Sequence, residues 1–144
     1  MVQAKGKSGN VNETDAAYIA GLFDGEGCAT CKQVKRKRKD RGGKIYNQWY
    51  IRCEITMTDR FVVEWLHKIL GFGWFKEKKY NTTPKHYKQQ WRWCCGYRDA
   101  LKFAKLIWPY VQVKIHPMEK IIDHYDVEPV RNDTSKVISL EDYR

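Results

Sequence analysis

The sequence predicts an α+β domain in which four antiparallel strands form one sheet with helices on a single face. Three observations point there. Apolar and polar residues alternate cleanly from Gln48 to Ile55, with Trp49, Ile51, Cys53 and Ile55 apolar and Gln48, Tyr50, Arg52 and Glu54 polar or amphipathic. Apolar residues recur at helical spacing in four other stretches. Turn and stop signals (Asp40-Arg41-Gly42-Gly43, Gly71-Phe72-Gly73, Pro109) separate these runs. The resulting order is α-β-β-α-β-β-α-α.

Residues Tyr18 to Gly27 read YIAGLFDGEG. Thr14 or Asp15 can cap a helix there, because either oxygen accepts from unpaired first-turn N–H groups. Ile19, Leu22 and Phe23 make an apolar face, and Ala17, Ala20 and Gly21 a small-residue stripe suited to close approach of another helix. Gly25-Glu26-Gly27 ends the run. Cys28 to Lys39 reads as a strand, 40–43 as a turn and Ile45 to Met57 as the return strand, which makes a long hairpin. Thr58 is the expected cap of a second helix, with Phe61, Trp65 and Ile69 beside Val62, Leu66 and Leu70 as its apolar stripe.

Trp74 to Tyr80 reads as the third strand, Asn81 to His86 as a loop and Tyr87 to Cys95 as the fourth strand. Tyr97 to Trp108 is a helix stopped by Pro109, and His116-Pro117 opens the last helix through Met118, Ile121, Ile122 and Tyr125. The domain is expected over 14–127, between a disordered polar arm (1–13) and a polar tail (128–144). The six tryptophans sit mostly at apolar-face spacing and are read as core residues rather than base-stacking platforms.

The 144 residues carry a net charge of +10, which predicts a polyanionic partner, nucleic acid first. The excess is concentrated: Lys32, Lys35, Arg36, Lys37, Arg38, Lys39, Arg41 and Lys44 stand against the single acid Asp40. A solvated face mixes signs, so this hairpin tip is assigned to phosphate contact. No apolar stretch reaches membrane-spanning length, and the first residues lack the apolar core of a secretion signal. A cytoplasmic or genome-associated, non-secreted protein with reduced thiols is expected. Zinc is not: Cys28 and Cys31 have metal-ligand spacing, but on a strand they point to opposite faces.

A helix C-terminus presents unpaired carbonyls, and a carboxylate beside them makes a cluster of hard oxygens of the kind Mg²⁺ prefers. Ala20-Gly21-Leu22-Phe23-Asp24-Gly25-Glu26-Gly27 resembles the signature of the LAGLIDADG homing endonucleases. The resemblance extends from about Asp15 to Val127 through the Ile55-Thr56 strand end, the 70–73 turn and the Pro109…Lys114 segment. It implies the αββαββα core with a saddle-shaped sheet, Mg²⁺-dependent hydrolysis of DNA phosphodiesters, and a long, pseudo-palindromic target. Because the motif occurs once, it also implies a homodimer, with Ala17, Ala20, Gly21 and Asp24 at the seam. By the same resemblance Glu26 is the metal ligand, the Gly25 carbonyl a further one, and Lys114 the basic catalytic residue. Asp24 is read as shaping the helix end. Where some single-motif relatives place a water-holding Gln, this chain has Met57, which leaves Thr56, Asp59 and Arg60 as candidates.

In this family the sheet reads the major groove of double-stranded DNA. The open-face positions here are Thr30, Lys32, Val34, Arg36 and Arg38 on the first strand and Gln48, Tyr50, Arg52 and Glu54 on the second. The third strand offers Lys76 and Lys78, and the fourth Gln90 and Arg92, with Trp91 and Trp93 in the core. Arg and Gln suit guanine and adenine, and Glu54 can accept from cytosine N4. The alternatives are a cleavage-inactive relative acting as a maturase or regulator, and a generic basic domain that binds RNA.

Overall fold

The computed structural model describes residues 11–79 and 88–127. Helix α1 (Glu13–Glu26) starts one turn earlier than the sequence suggests. Asn12 is the cap, its Oδ1 accepting from the Asp15 N–H at 2.8 Å, so Thr14 and Asp15 lie inside the first turn. The helix buries Ala16, Ile19, Ala20 and Phe23. It passes directly into strand β1 (Gly27–Lys37). Gly27 is extended (φ −92°, ψ 165°), and its lack of a side chain is steric, because a Cβ there would collide with the Phe23 ring.

A single 3₁₀ turn (Arg41–Gly43) connects β1 to β2 (Ile45–Met57), whose limits are those read from the alternation. Helix α2 (Arg60–Leu70) is capped by Asp59 rather than Thr58, its Oδ1 accepting from Val62 N–H at 3.1 Å. The apolar stripe is also rotated. Val63, Leu66 and Leu70 are buried, whereas Phe61 is 79% exposed, because the sheet meets the helix on one side of the wider apolar arc. Gly71 ends α2 in the left-handed region (φ 76°), with its N–H on His67 O.

Strands β3 (Trp74–Lys78) and β4 (Gln90–Gly96) are shorter than expected, and the expected loop from Asn81 to His86 lies outside the described residues. Helix α3 (Arg98–Ile107) precedes α4 (Ile115–Val127). The latter begins before His116, which leaves Pro117 in the first turn, where its missing N–H has no intrahelical partner to lose.

The strand order is β1-β2-β4-β3, antiparallel throughout. One face of the sheet carries Cys31, Ile51, Cys53, Ile55, Trp93 and Cys95 into a core closed by the helices through Ile19, Phe23, Leu66, Phe103, Ile107 and Met118. Strand β4 pairs only with Arg52–Met57 of β2, so the rest of the β1–β2 hairpin continues as a two-stranded ribbon. Two tryptophans depart from the core expectation. Trp49 lies on that ribbon, 38% exposed against the His124 ring, and Trp74 is 43% exposed on the open face of the sheet. Among the described residues no helix is long and apolar enough to cross a membrane.

Candidate functional site

Antiparallel partners share a face, so register fixes which residues the open side of the sheet presents. Thr30, Lys32 and Val34 of β1 lie opposite Arg52, Tyr50 and Gln48 of β2, and Arg36 opposite Tyr46. Glu54 and Thr56 face Cys94 and Arg92 of β4, and Trp74, Lys76 and Lys78 of β3 face Cys94, Arg92 and Gln90. All four strands thus bring their alternating polar residues to one surface. Arg38 follows the end of β1, and its guanidinium lies 5.2 Å from the centre of the Tyr46 ring. The same parity separates Cys28, opposite Glu54, from buried Cys31, opposite Ile51.

The centre of this surface is tightly organised. Arg52 donates from Nε and Nη2 to Cys94 Sγ (3.1 and 2.7 Å) and from Nη1 to Tyr50 Oη (3.0 Å). Glu54 Oε1 lies 3.2 Å from Arg52 Nε, and its Oε2 lies 3.9 Å from Arg92 Nε. Burial would lower the Arg52 pKa, but Tyr50, Cys94 and Glu54 together hold it higher and keep the guanidinium charged. Burial pushes the Cys94 thiol up despite the neighbouring Arg52. The Arg52 guanidinium also sits 5.9 Å from the Trp74 ring centre. Sequence reading left Cys94 and Trp74 out of this surface, although each shares strand parity with a residue assigned to it: Arg92 and Lys76 respectively.

At the C-terminus of α1 the Asp24 carboxylate accepts from three successive backbone N–H groups, those of Gln112 (2.7 Å), Val113 (3.1 Å) and Lys114 (2.9 Å). Lys114 Nζ donates to the Asp24 carbonyl at 2.7 Å. Burial alone would raise the Asp24 pKa, but these N–H groups and the Lys114 ammonium outweigh it and hold the carboxyl below its ordinary value. The last cap bond runs from Gly27 N–H to Phe23 O, so the Gly25 carbonyl belongs to the orphaned final turn. Glu26 is the exposed last residue of the helix. An exposed carboxylate beside unpaired carbonyls is a donor set of hard oxygens, which suits Mg²⁺ bound through few protein ligands. Among the described residues no group of three or more His, Cys, Asp or Glu converges as a closed metal cage.

The expected seam on α1 needs one correction. Ala20 is 0% exposed and fills this chain's own core, so it cannot face a second copy. The exposed small residues are Ala17, Gly21 and Gly25, one helical turn apart, and a Cβ added at Gly21 or Gly25 would meet nothing within 4 Å. Asp24 is committed to the 112–114 backbone.

Residues 19–90 match the family model described as LAGLIDADG endonuclease. Among solved structures, the homing endonuclease I-CvuI in complex with the I-CreI target is similar, with a TM-score of 0.62 and 21% identity over 89% of this chain and 76% of that one. The archaeal intron-encoded homing endonuclease I-Vdi141I complexed with DNA gives a TM-score of 0.56 and 19% identity, covering 89% and 80%. Against I-LtrWI bound to target DNA the TM-score is 0.58 at 14% identity, covering 99% of this chain but 48% of the other. No curated protein matches significantly. At these identities the structural likeness establishes the fold.

Proposed function

This chain belongs to the LAGLIDADG endonuclease family, and from that premise we propose that it is a homodimeric, site-specific DNA endonuclease. It makes metal-dependent double-strand breaks at a long, pseudo-palindromic target. The observation that carries this reading is the single surface onto which register brings Thr30, Lys32, Val34, Arg36, Gln48, Tyr50, Arg52, Lys76, Lys78, Gln90 and Arg92. A two-stranded ribbon has the width of the major groove, and here it extends past the core with its basic residues exposed. The relatives in the solved structures include DNA complexes, one with Mg and one with Ca.

Glu26 and the Gly25 carbonyl would hold the divalent cation, which supplies charge stabilisation to the phosphoryl oxygens when bound. Lys114 is tethered beside them by the Asp24 carbonyl, and an ammonium has three donors, so two remain for a phosphate. Homodimerisation rests on the exposed glycines of α1. A mid-helix glycine costs about 1 kcal/mol relative to alanine, and among the described residues nothing lies within 4 Å of a Cβ built at position 21. Close crossing of a second α1 about a two-fold axis supplies a reason for the glycine.

Met57 is the residue that bears on the cleavage-inactive alternative, and it argues for it only weakly. Met57 is half-buried against the core and offers no oxygen to hold a water, and the Asp59 carboxylate is engaged as a helix cap. Thr56, on the open face opposite Arg92, and Arg60 remain to do so. Duplex DNA spanning the insertion site of the protein's own gene decides between the readings. Defined double-strand cuts in Mg²⁺, binding without cuts in Ca²⁺, and a loss of at least roughly 10²-fold in rate for Glu26→Gln are expected. Tight specific binding without cutting in Mg²⁺ would establish the alternative instead.

A further inference from the structure

We propose that Cys94, Tyr50 and Glu54 form a platform that fixes the Arg52 guanidinium for reading one guanine per half-site, with Arg52 as a specificity-determining residue and Cys94 as its positioning residue. This rests on the reading of the sheet as a DNA surface. A guanidinium has five N–H groups: one on Nε and two on each terminal nitrogen. Cys94 Sγ takes the Nε–H and one Nη2–H, the pair that diverges least, and Tyr50 Oη takes one Nη1–H. Three are used, and one N–H remains on each terminal nitrogen. Two free donors on adjacent nitrogens are what bidentate contact with guanine O6 and N7 uses.

The platform is rigid for physical reasons. Cys94 is fully buried on the open side of the sheet, separate from the core cluster, and its neighbours there are the side chains of Arg52, Glu54 and Arg92. Its thiol lies 4.0 Å from Glu54 Oε1, so the sulfur can donate to the carboxylate while it accepts from the guanidinium. Register places Cys94 opposite both Glu54 and Trp74, and the Trp74 ring centre lies 5.9 Å from the guanidinium carbon. Glu54 therefore belongs to the support. Its Oε1 lies 3.2 Å from Arg52 Nε and its Oε2 3.9 Å from Arg92 Nε, so it pairs with both guanidinium groups. An arginine held in this way gives up little rotamer freedom on binding, and that is how positioning becomes specificity.

The test is selection of bound duplexes from a randomised library by the full-length protein in Ca²⁺, followed by base preferences at each position. The wild-type protein should prefer guanine at one position in each half-site, by on the order of 5- to 150-fold. Arg52→Lys should abolish that preference. Cys94→Ala should reduce it to within about threefold of random at that position while leaving other positions unchanged, and Cys94→Ser, which keeps an acceptor, should retain most of it. Tyr50→Phe removes one support without touching the core and should weaken the same position, so it carries the test if Cys94→Ala does not fold. Unchanged preference in the Cys94 and Tyr50 variants, or a uniform loss of affinity at all positions, would overturn the platform and leave the DNA-reading surface standing. Failure of the wild-type protein to select any sequence would overturn both.

Discussion

Asp24 and Glu26 stand two residues apart in one motif, and the structure binds Asp24 into the fold while leaving Glu26 exposed. The Asp24 carboxylate joins the end of α1 to the loop that opens α4 through three N–H acceptances, each charge-assisted. Asp24→Ala should therefore destabilise the fold by about 1–3 kcal/mol in urea unfolding, the net loss of charge-assisted hydrogen bonds whose donors are largely open to water. The sign with pH follows from the depressed Asp24 pKa. The folded state binds its proton less readily than the unfolded chain, so this stabilisation is complete above the ordinary carboxylate value of 3.8 and is lost as pH falls below it. Asp24→Asn should flatten stability against pH in that window. At this scale the sequence was only partly legible. The roles of Asp24 and Lys114 depend on contacts 88 to 90 residues apart, which no local spacing encodes. Both cap errors, Asn12 and Asp59, lie among several adjacent oxygen-bearing residues, any of which satisfies the local rule.

At the scale of elements, period-2 alternation was the most reliable signal. It set the limits of β2 and the open face of all four strands, because a one-residue slip would have placed Arg52 in the core. Helix α2 was less legible: its apolar residues cover more arc than the sheet can bury, and only tertiary contact selects Val63 over Phe61. Two tryptophans departed for a related reason. Hydrophobic size predicts burial, yet Trp49 lies on the two-stranded ribbon, only partly covered by the His124 ring of α4, and Trp74 lies beside a guanidinium. Helix α1 carries the sharpest prediction at this scale. Gly21→Ala should raise the intrinsic stability of the helix by up to about 1 kcal/mol. Gly21→Leu, whose Cβ meets nothing within 4 Å among the described residues, should shift sedimentation equilibrium from dimer to monomer and abolish double-strand cutting. A Gly21→Leu protein that remains dimeric would remove α1 from the seam.

For the whole molecule, the net charge of +10 and its concentration on the ribbon make affinity an ionic-strength quantity. Binding should fall on the order of 10³- to 10⁵-fold between 50 and 200 mM salt if 6–10 phosphates are neutralised, and Lys32→Ala, which removes one contact from each half of the dimer, should reduce the log–log slope by about 2. An affinity unchanged by salt would point away from a phosphate-tracking surface. The core beneath has its own chemistry: Cys53 and Cys95 face each other across β2 and β4, fully buried, and mutual contact with burial holds the Cys53 thiol well above its ordinary pKa. They serve as small core residues.

On the proposed reading, two copies of this chain assemble one nuclease and each contributes its own Glu26. Heterodimers of wild-type and Glu26→Gln chains, isolated through two different tags, test it most directly on a supercoiled plasmid carrying the target. One intact carboxylate per dimer should convert the plasmid to the nicked circle, with double-strand cutting at least roughly 10²-fold slower than in the wild-type dimer. Linear product formed at the wild-type rate would contradict the account, because Glu26 would then not be the residue on which cleavage depends.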